Sequence, residues 1–331
     1  MAAPPISAAG SLQRAHGVLR LEIRQRDGRS VLQSVYQQAP CRALMPAVEP
    51  GAPFEAVLVN TSGGLVGGDR IESVIAIGAD ASAVLAGQAA EKVYRSTGAD
   101  TVVETSLSVA GGAWLEWLPQ ETILFDGARL RRRLSIDLAP TARLLAAETV
   151  IFGRSARGER FSRGFVHDSW AIRRNGRLAW MDAVRLDGDV EALRTRAFGF
   201  GRAARGERFS RGFLHDSWAI RRAGRLVWMD AMRLDGDVEA QRTRAFGFGR
   251  AAGYATLLHT GPEAASFLPL AREIVASAPA EGGATLVSGL LLLRFIAEDA
   301  ARLRSAVAAA VCRLRAEIAG LPAKLPRVWQ I

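Results

Sequence analysis

Lysine and cysteine are scarce in this sequence of 331 residues. Lysine occurs only at Lys92 and Lys324, so arginine carries nearly all of the positive charge. The two cysteines, Cys41 and Cys312, are far apart and form neither a CxxC pair nor a disulfide framework. The four histidines are also too widely spaced to predict a zinc site. This cysteine usage indicates a reducing compartment, and we expect a cytoplasmic location.

Long hydrophobic runs are absent as well. The longest one, residues 286–296, is interrupted by Arg294 and is shorter than the ~20 apolar residues that span a bilayer. The first ten residues lack the basic start and the apolar centre of a signal peptide. We therefore predict no membrane segment and no export. With 49% hydrophobic and 23% charged residues, the chain can bury a substantial core.

A tandem repeat fills the middle of the chain. Residues 157–204 and 205–252 align without a gap and differ at five of 48 positions, so 48 − 5 = 43 are identical. Two copies are too few for a repeat solenoid, which needs three or more units to bury a continuous core. We interpret the repeat as a duplication inside one domain, residues 1–331, that requires a single copy. The differing pairs are Val166/Leu214, Asn175/Ala223, Ala179/Val227, Val184/Met232 and Leu193/Gln241.

The net charge of +10 is largely a by-product of this duplication. A basic protein of this kind suggests a nucleic-acid partner at first sight. Each copy, however, contains ten arginines and six acidic residues, so the pair contributes 2 × 4 = +8 of the total. We therefore predict no nucleic-acid binding.

Short alternating segments indicate a mainly β architecture. Leu19, Leu21 and Ile23 alternate with charged residues, as in a half-buried strand. Gly-Gly at 111–112 and Asp-Gly at 126–127 predict turns between strands. Inside the repeat, Asn-Gly at 175–176 suits a type I′ hairpin turn, whereas the second copy has Ala-Gly there, which is a poorer turn. Turn chemistry therefore favours the first copy as the one in the native register.

Helical spacing appears only after the repeat. Residues 265–275 have this spacing, with Pro262 near the predicted start and Pro269 as an expected irregularity. Residues 300–318 predict a stronger amphipathic helix that ends at Gly320.

Carboxylates are the most plentiful candidate metal ligands. The segment NTSGGLVGGD at residues 60–69 does not match a phosphate-binding loop, and we interpret it as a pair of glycine turns that present Asp69 as an oxygen ligand or a partner contact. Surface or capping roles are the alternative for each carboxylate. Weak oxygen coordination suits a protein that passes a metal on. The dispersed candidates are Asp69, Glu91, Glu121, Glu148, Glu159 and Asp182.

Catalytic residues are not predicted. His-Asp-Ser occurs at 167–169 and again at 215–217, but neighbouring residues in a strand point to opposite faces and cannot share one proton path. We therefore predict that the chain is not an enzyme. A hydrolase that uses His167 or His215 is the enzymatic alternative.

Several segments together resemble the urease accessory protein UreD family, called UreH in some species. The matching segments are NTSGGLVGGDR at 60–70, AAEKVYRS at 89–96, LEWLPQETILF at 115–125, FGRSARGERFSRG at 152–164, GATL at 283–286 and LPRVW at 325–329. The duplicated block departs from the family, whose members carry the GRxARGExF segment once. Ala-Gly-Gln at 86–88 is a second departure, because relatives often carry Thr-Thr-Gln there.

The resemblance implies a helicoidal, β-solenoid-like stack of strands with two α-helices toward the C-terminus. It implies a non-catalytic nickel-insertion chaperone that binds UreF, the GTPase UreG and the urease subunits UreA, UreB and UreC. Nickel would be in transit, with no stably bound cofactor, and the matching path residues are Asp69, Glu91, Asp182 and its copy Asp230. The alternative is that the duplication has produced a non-functional or altered assembly module.

Overall fold

The computed structural model describes residues 14–154, 157–189, 217–222, 225–231 and 251–330. Most of these residues lie in strands, and the two α-helices lie near the C-terminus. The strands are β1 (His16–Arg26), β2 (Arg29–Gln38), β3 (Cys41–Leu44), β4 (Phe54–Asn60), β5 (Arg70–Ile77), β6 (Ser82–Gly87), β7 (Glu91–Val93), β8 (Thr101–Val109), β9 (Trp114–Leu118), β10 (Thr122–Leu124), β11 (Arg129–Leu138), β12 (Arg143–Phe152), β13 (Arg163–Arg174), β14 (Arg177–Asp189), β15 (Ser217–Arg222), β16 (Arg225–Ala231), β17 (Gly253–Thr260), β18 (Glu281–Val287) and β19 (Leu290–Ala297). The helices are α1 (Leu268–Ser277) and α2 (Ala300–Ala319), with 3₁₀ turns at Ala264–Phe267 and Arg327–Trp329.

Two large sheets contain most of the strands. Sheet A has the order β14-β13-β11-β8-β5-β1-β2, and sheet B has the order β18-β19-β17-β12-β9-β6-β4-β3. The short strands β7 and β10 extend sheet B at one end, because β10 pairs with both β7 and β12. From β5 to β13 the chain passes alternately through sheet A and sheet B, and successive strands within each sheet pair in parallel. The predicted solenoid-like, mainly β fold is confirmed.

The core has two main layers. Alternating side chains of sheet A meet sheet B in the first layer, where Leu21, Leu107 and Leu134 pack against Leu85 and Leu115. The second layer lies between the other face of sheet B and the two helices. The central strands of sheet B are therefore buried on both faces, and every residue of β9 is buried.

Local sequence explains where several elements begin and end. Leu19, Leu21 and Ile23 of β1 are at most 3% exposed, which confirms the predicted alternation. Helix α2 begins after Asp299, whose carboxylate accepts hydrogen bonds from two amides of the first turn, and it ends at Gly320 in the left-handed conformation. Asn175 has a φ of 49°, as a type I′ hairpin turn requires.

The first helix begins later than its sequence spacing predicts. Residues 264–267 form a 3₁₀ turn, and α1 starts at Leu268. Pro269 is therefore in the first helical turn, where backbone amides have no intrahelical acceptor, so the absence of its amide hydrogen costs no hydrogen bond. The predicted irregularity at Pro269 is thus a helix start. No helix in the described ranges is both long enough and apolar enough to cross a membrane.

The two copies of the repeat occupy different places. The hairpin of the first copy, β13 and β14, completes one edge of sheet A by pairing with β11. The hairpin of the second copy, β15 and β16, forms a two-stranded sheet of its own among the strands that the structure describes. Residues 223–224, where the second turn was expected, lie outside the described residues.

Candidate functional site

A pocket of about 240 Å³ opens at one end of the two sheets and extends between them. Its outer part is lined by exposed Gln88 and Ala89 and by Asn60 and Glu91. Its inner part reaches residues that are less than a tenth exposed. These inner residues include Thr105, Trp117, Thr122, Arg132 and Glu148. The pocket therefore connects the surface with polar groups in the interior.

Glu91 lies at the outer part of this pocket, at the start of β7. The side-chain amide of Asn60 donates to both of its carboxylate oxygens, at 3.1 and 3.0 Å. Burial raises the pKa of Glu91, while the hydrogen bonds from Asn60 and from the backbone of Lys92 oppose that rise. Asn60 also accepts from the amide and the hydroxyl of Ser62, so one side chain fixes both the loop and the carboxylate.

The glycines of residues 63–68 allow this loop to pack closely against its neighbours. A Cβ at Gly64 would lie 2.5 Å from the Tyr94 ring, and a Cβ at Gly67 would lie 1.9 Å from the Ser96 hydroxyl oxygen. Such distances exclude any side chain without movement of the loop. Leu65 pairs with β7 through its backbone, which holds the loop beside Glu91. The predicted glycine turns thus serve to shape the rim of the pocket.

Arg132 and Asp168 form an ion pair at the inner part of the site. Both residues are less than a tenth exposed, and Arg132 binds both carboxylate oxygens of Asp168, at 2.8 and 2.6 Å. Arg132 also donates to the Thr122 hydroxyl at 3.1 Å, and the Tyr254 hydroxyl donates to Asp168 at 2.7 Å. Burial alone would lower the pKa of Arg132, but the charges of Asp168 and Glu148 raise it.

Glu148 completes the inner cluster from the side of sheet B. Its carboxylate accepts from the indole of Trp117 at 3.1 Å and lies 3.2 Å from the guanidinium of Arg132. Burial raises the pKa of Glu148; the charge of Arg132 opposes this effect and that of Asp168 reinforces it. The two carboxyl groups of Asp168 and Glu148 therefore lie beside a single guanidinium at the inner end of the pocket.

Cys41 also lines the pocket, and its thiol is protonated at neutral pH. Burial raises its pKa to about 11, with a further contribution from the charge of Glu91. Thiolates rather than thiols bind soft metals, so Cys41 contributes no ready sulfur ligand.

The structure places the predicted path residues in separate locations. Glu91 lines the pocket, but Asp69 is 5% exposed and outside the residues that line it. The Asp69 carboxylate accepts from the backbone amides of Ala15 and Val66, both at 2.8 Å. Asp182 lies in β14, where it pairs with Arg294 of β19. Asp230 is in β16, and its side chain lies outside the described residues.

Two other carboxylates that the sequence offers as candidates are engaged in ion pairs and are not among the residues that line the pocket. Glu121 binds Arg304 of α2 at 2.6 and 2.8 Å, and Glu159 binds Arg154 at 2.6 and 2.7 Å. Among the described residues, no three His, Cys, Asp or Glu side chains are grouped as ligands for one metal ion. The site can therefore offer successive one- or two-oxygen contacts, which favour exchange over tight binding.

The His-Asp-Ser segment of the first copy does not form a triad. Asp168 points into the core and binds Arg132, while His167 and Ser169 lie on the opposite, partly exposed face of β13. This arrangement follows the strand alternation used in the prediction. His215 lies outside the described residues.

Arg132, Thr122 and Tyr254 belong to the site but are not predicted from the sequence. The signal for Arg132 is the alternation of β11, since Leu130, Arg132 and Leu134 share its buried face. Nothing in the local pattern around Tyr254 indicates its partner, because β17 is buried at every position.

The fold and the pocket define a β-sheet scaffold with an apolar core and a small cluster of buried polar side chains at the inner end of the pocket. The model of the UreD urease accessory protein family matches residues 15–199 and 197–330. A urease accessory protein UreD of Magnetococcus marinus is 39% identical over 324 residues, which are 96% of this chain and 95% of that protein. Another, from Azorhizobium caulinodans, is 36% identical over 326 residues, which are 98% of this chain and all of that protein.

The chain therefore belongs to the UreD urease accessory protein family. Members of this family assist the assembly of urease and are not enzymes themselves, which confirms the prediction of a non-catalytic role and excludes the hydrolase alternative. The two overlapping matches, 15–199 and 197–330, meet inside the tandem repeat.

Proposed function

We propose that this protein is a scaffold for nickel insertion that binds UreF, UreG and the urease subunits, and that nickel in transit passes through the pocket that begins at Glu91. The observation that carries the proposal is the continuity of the pocket from Glu91 at the surface to Glu148 in the interior. Both residues supply carboxylate oxygens, which suit weak and exchangeable metal contacts.

The charge of the inner cluster supports passage of a cation. Arg132 is neutralised by Asp168, and Glu148 remains as a further carboxyl group beside the same pocket. Binding of a divalent ion at Glu148 competes with protonation, which burial favours by raising the pKa of that carboxyl group. Asp69 holds the glycine loop through two backbone amides, so we assign it the role of shaping the entrance. Asp182 and Asp230 remain candidates for contacts outside the pocket.

Substitution of Glu91 tests the proposed path. With the urease genes expressed together with this chain, Glu91→Gln should lower the urease activity and the nickel content of purified urease by about tenfold, since a ligand at the entrance is lost. Glu49→Gln is the matched control, because Glu49 is an exposed carboxylate outside the pocket. Co-purification with UreF and the urease subunits should be unchanged in both variants.

Two outcomes separate the levels of this proposal. Normal nickel content of urease with Glu91→Gln would refute the path while leaving the scaffold role intact. Failure of the unmodified chain to co-purify with UreF or with any urease subunit would refute the scaffold role itself.

A further inference from the structure

The first copy of the repeat docks on β11 through an extended set of contacts. Strand β13 pairs in parallel with β11 over ten consecutive residue pairs, from Arg129↔Phe165 to Leu138↔Arg174. The side chains that β13 buries against the core are each at most 5% exposed. These side chains are Val166, Asp168, Trp170 and Ile172. The outer edge of β11 therefore binds this hairpin through a specific set of backbone and side-chain contacts.

The second copy carries nearly the same docking surface. Forty-eight residues later the chain has Asp216, Trp218 and Ile220, and only Val166 is changed, to Leu214. The register of the hairpin is also the same, because Trp218 is paired with Asp230 across the strands just as Trp170 is paired with Asp182. The register shift occurs at the equivalent position in both hairpins, after Ile172 and after Ile220.

Chain connectivity permits either copy to dock. Strand β12 ends at Phe152 in sheet B, and β17 begins at Gly253 in the same sheet. One hairpin must lie between them on β11, and the tandem repeat places the spare 48 residues either after that hairpin or before it. The entropy of loop closure depends only weakly on loop length, so the free-energy cost of closing the loops is similar in the two arrangements.

We propose that the outer edge of β11 is a docking site with two alternative occupants, the hairpin of the first copy and the hairpin of the second copy of the same chain. Asp216 is the sequence equivalent of Asp168, so the exchange keeps a carboxylate that can pair with Arg132. The exchange instead changes the point at which the spare segment leaves the sheet. The duplication therefore gives this protein two folded registers with one common interior.

Two of the five differences between the copies favour the first one. Asn175 has a φ of 49°, a conformation that asparagine tolerates and that the equivalent Ala223 would adopt at a cost. Val166 is fully buried, so Leu214 would add a methylene group to a packed core. Each difference should favour the first copy by about tenfold, which leaves about one molecule in a hundred in the second register.

Disulfide trapping tests this proposal. Ser135 of β11 faces Ala171 of β13, and both are partly exposed. The pair Ser135→Cys with Ala171→Cys should crosslink in nearly every molecule that is refolded and then oxidised. The equivalent pair with Ala219→Cys should crosslink in about one molecule in a hundred, within the same chain, as measured by mass spectrometry of proteolytic fragments. The pair Ser135→Cys with Ser217→Cys is the matched control, since Ser217 is two residues away from Ala219, the position that would pair with Ser135.

Exchanging the two determinants should reverse the populations. In a chain with Val166→Leu and Asn175→Ala in the first copy and Leu214→Val and Ala223→Asn in the second, the Ala219→Cys pair should crosslink in most molecules. The chain that lacks residues 157–204 should fold and crosslink this pair completely, because the second hairpin is then its only occupant. The proposal is overturned if Ala219→Cys crosslinks no more than Ser217→Cys in the exchanged chain, or if the shortened chain does not fold.

Discussion

Three consecutive arginines in β11, Arg131, Arg132 and Arg133, meet different environments. Arg131 and Arg133 point to solvent, while Arg132 points between the sheets and is 8% exposed. Alternation along the strand decides which one is buried, and Asp168 supplies the opposite charge that makes burial tolerable. Arg132 is therefore a structural cation whose loss would leave Asp168 unpaired in the interior.

Substitution of two neighbours separates this role from a general effect of charge. Arg132→Ala should lower the free energy of unfolding by about 3–5 kcal/mol, because it leaves a buried carboxylate without its partner. Arg133→Ala removes the same charge from an exposed site of the same strand and should change stability by less than about 0.5 kcal/mol. Urea denaturation of the two variants measures the difference. Equal effects would contradict the assignment of Arg132.

His259 predicts a specific acid sensitivity. Its side chain is fully buried, and burial lowers its pKa to about 4, although a hydrogen bond with the carbonyl oxygen of Leu144 opposes the shift. The unfolded state therefore binds a proton near pH 6.5 that the folded state does not bind, so stability falls as the pH decreases from 6.5 toward 4. The loss from this residue should approach about 3 kcal/mol.

The variant His259→Phe isolates this contribution. The new ring can pack against Trp114 and Phe267, the aromatic neighbours of the imidazole. The free energy of unfolding of the variant should decrease less than that of the unmodified chain between pH 7 and pH 4. Parallel pH profiles for the two proteins would show that His259 does not titrate in this range.

At the scale of elements, the C-terminal segment is fastened to sheet B by Trp329. Its indole donates to the carbonyl oxygen of Leu118 at 3.1 Å, and the Arg304 guanidinium lies 5.1 Å from its ring centroid. Arg304 also binds Glu121 and the carbonyl oxygen of Trp329, which joins α2, the end of β9 and the C-terminus. The segment LPRVW thus packs against both α2 and sheet B and holds them together.

Removal of this side chain should loosen the helical layer. Trp329→Ala should lower the free energy of unfolding by about 3–5 kcal/mol, since a buried aromatic ring and its hydrogen bond are lost. Gln330→Ala, at the exposed neighbouring residue, should stay within about 0.5 kcal/mol of the unmodified chain. Guanidinium denaturation followed by tryptophan fluorescence gives both values, and a mild effect of Trp329→Ala would contradict the proposed fastening.

The sequence predicts individual elements better than their partners. Strand β1, the turn at Asn175 and the end of α2 at Gly320 follow from alternation, turn chemistry and capping, which act over a few residues. The parallel pairing of β5 with β8, about thirty residues apart, has no such local signal. The same limit applies to the site, because Glu91 stands in a recognisable segment whereas Tyr254 reaches Asp168 across 86 residues.

At the scale of the whole molecule, one copy of the repeat is sufficient to complete sheet A. The first hairpin fills the edge of β11, and β17 returns to sheet B beside β12. The second copy therefore adds residues without removing a strand from either sheet. We therefore expect the second copy to be dispensable for the fold.

Deletion of the second copy tests that conclusion. The chain without residues 205–252 has 331 − 48 = 283 residues and should fold with a melting temperature within a few degrees of the full chain, because both sheets remain complete. It should also support urease activation at least as well. Loss of folding or of activation would show that the second copy has become an integral part of the structure.

The junction between the first hairpin and β17 contains the 48 residues of the second copy, and β14 and β17 are paired in their sheets. Such tolerance marks it as a position for engineering. A fluorescent reporter or an affinity tag spliced there would lie away from the pocket mouth at Glu91 in the sequence and would leave both chain ends unmodified. Assembly of urease could then be followed with a label carried inside the chain.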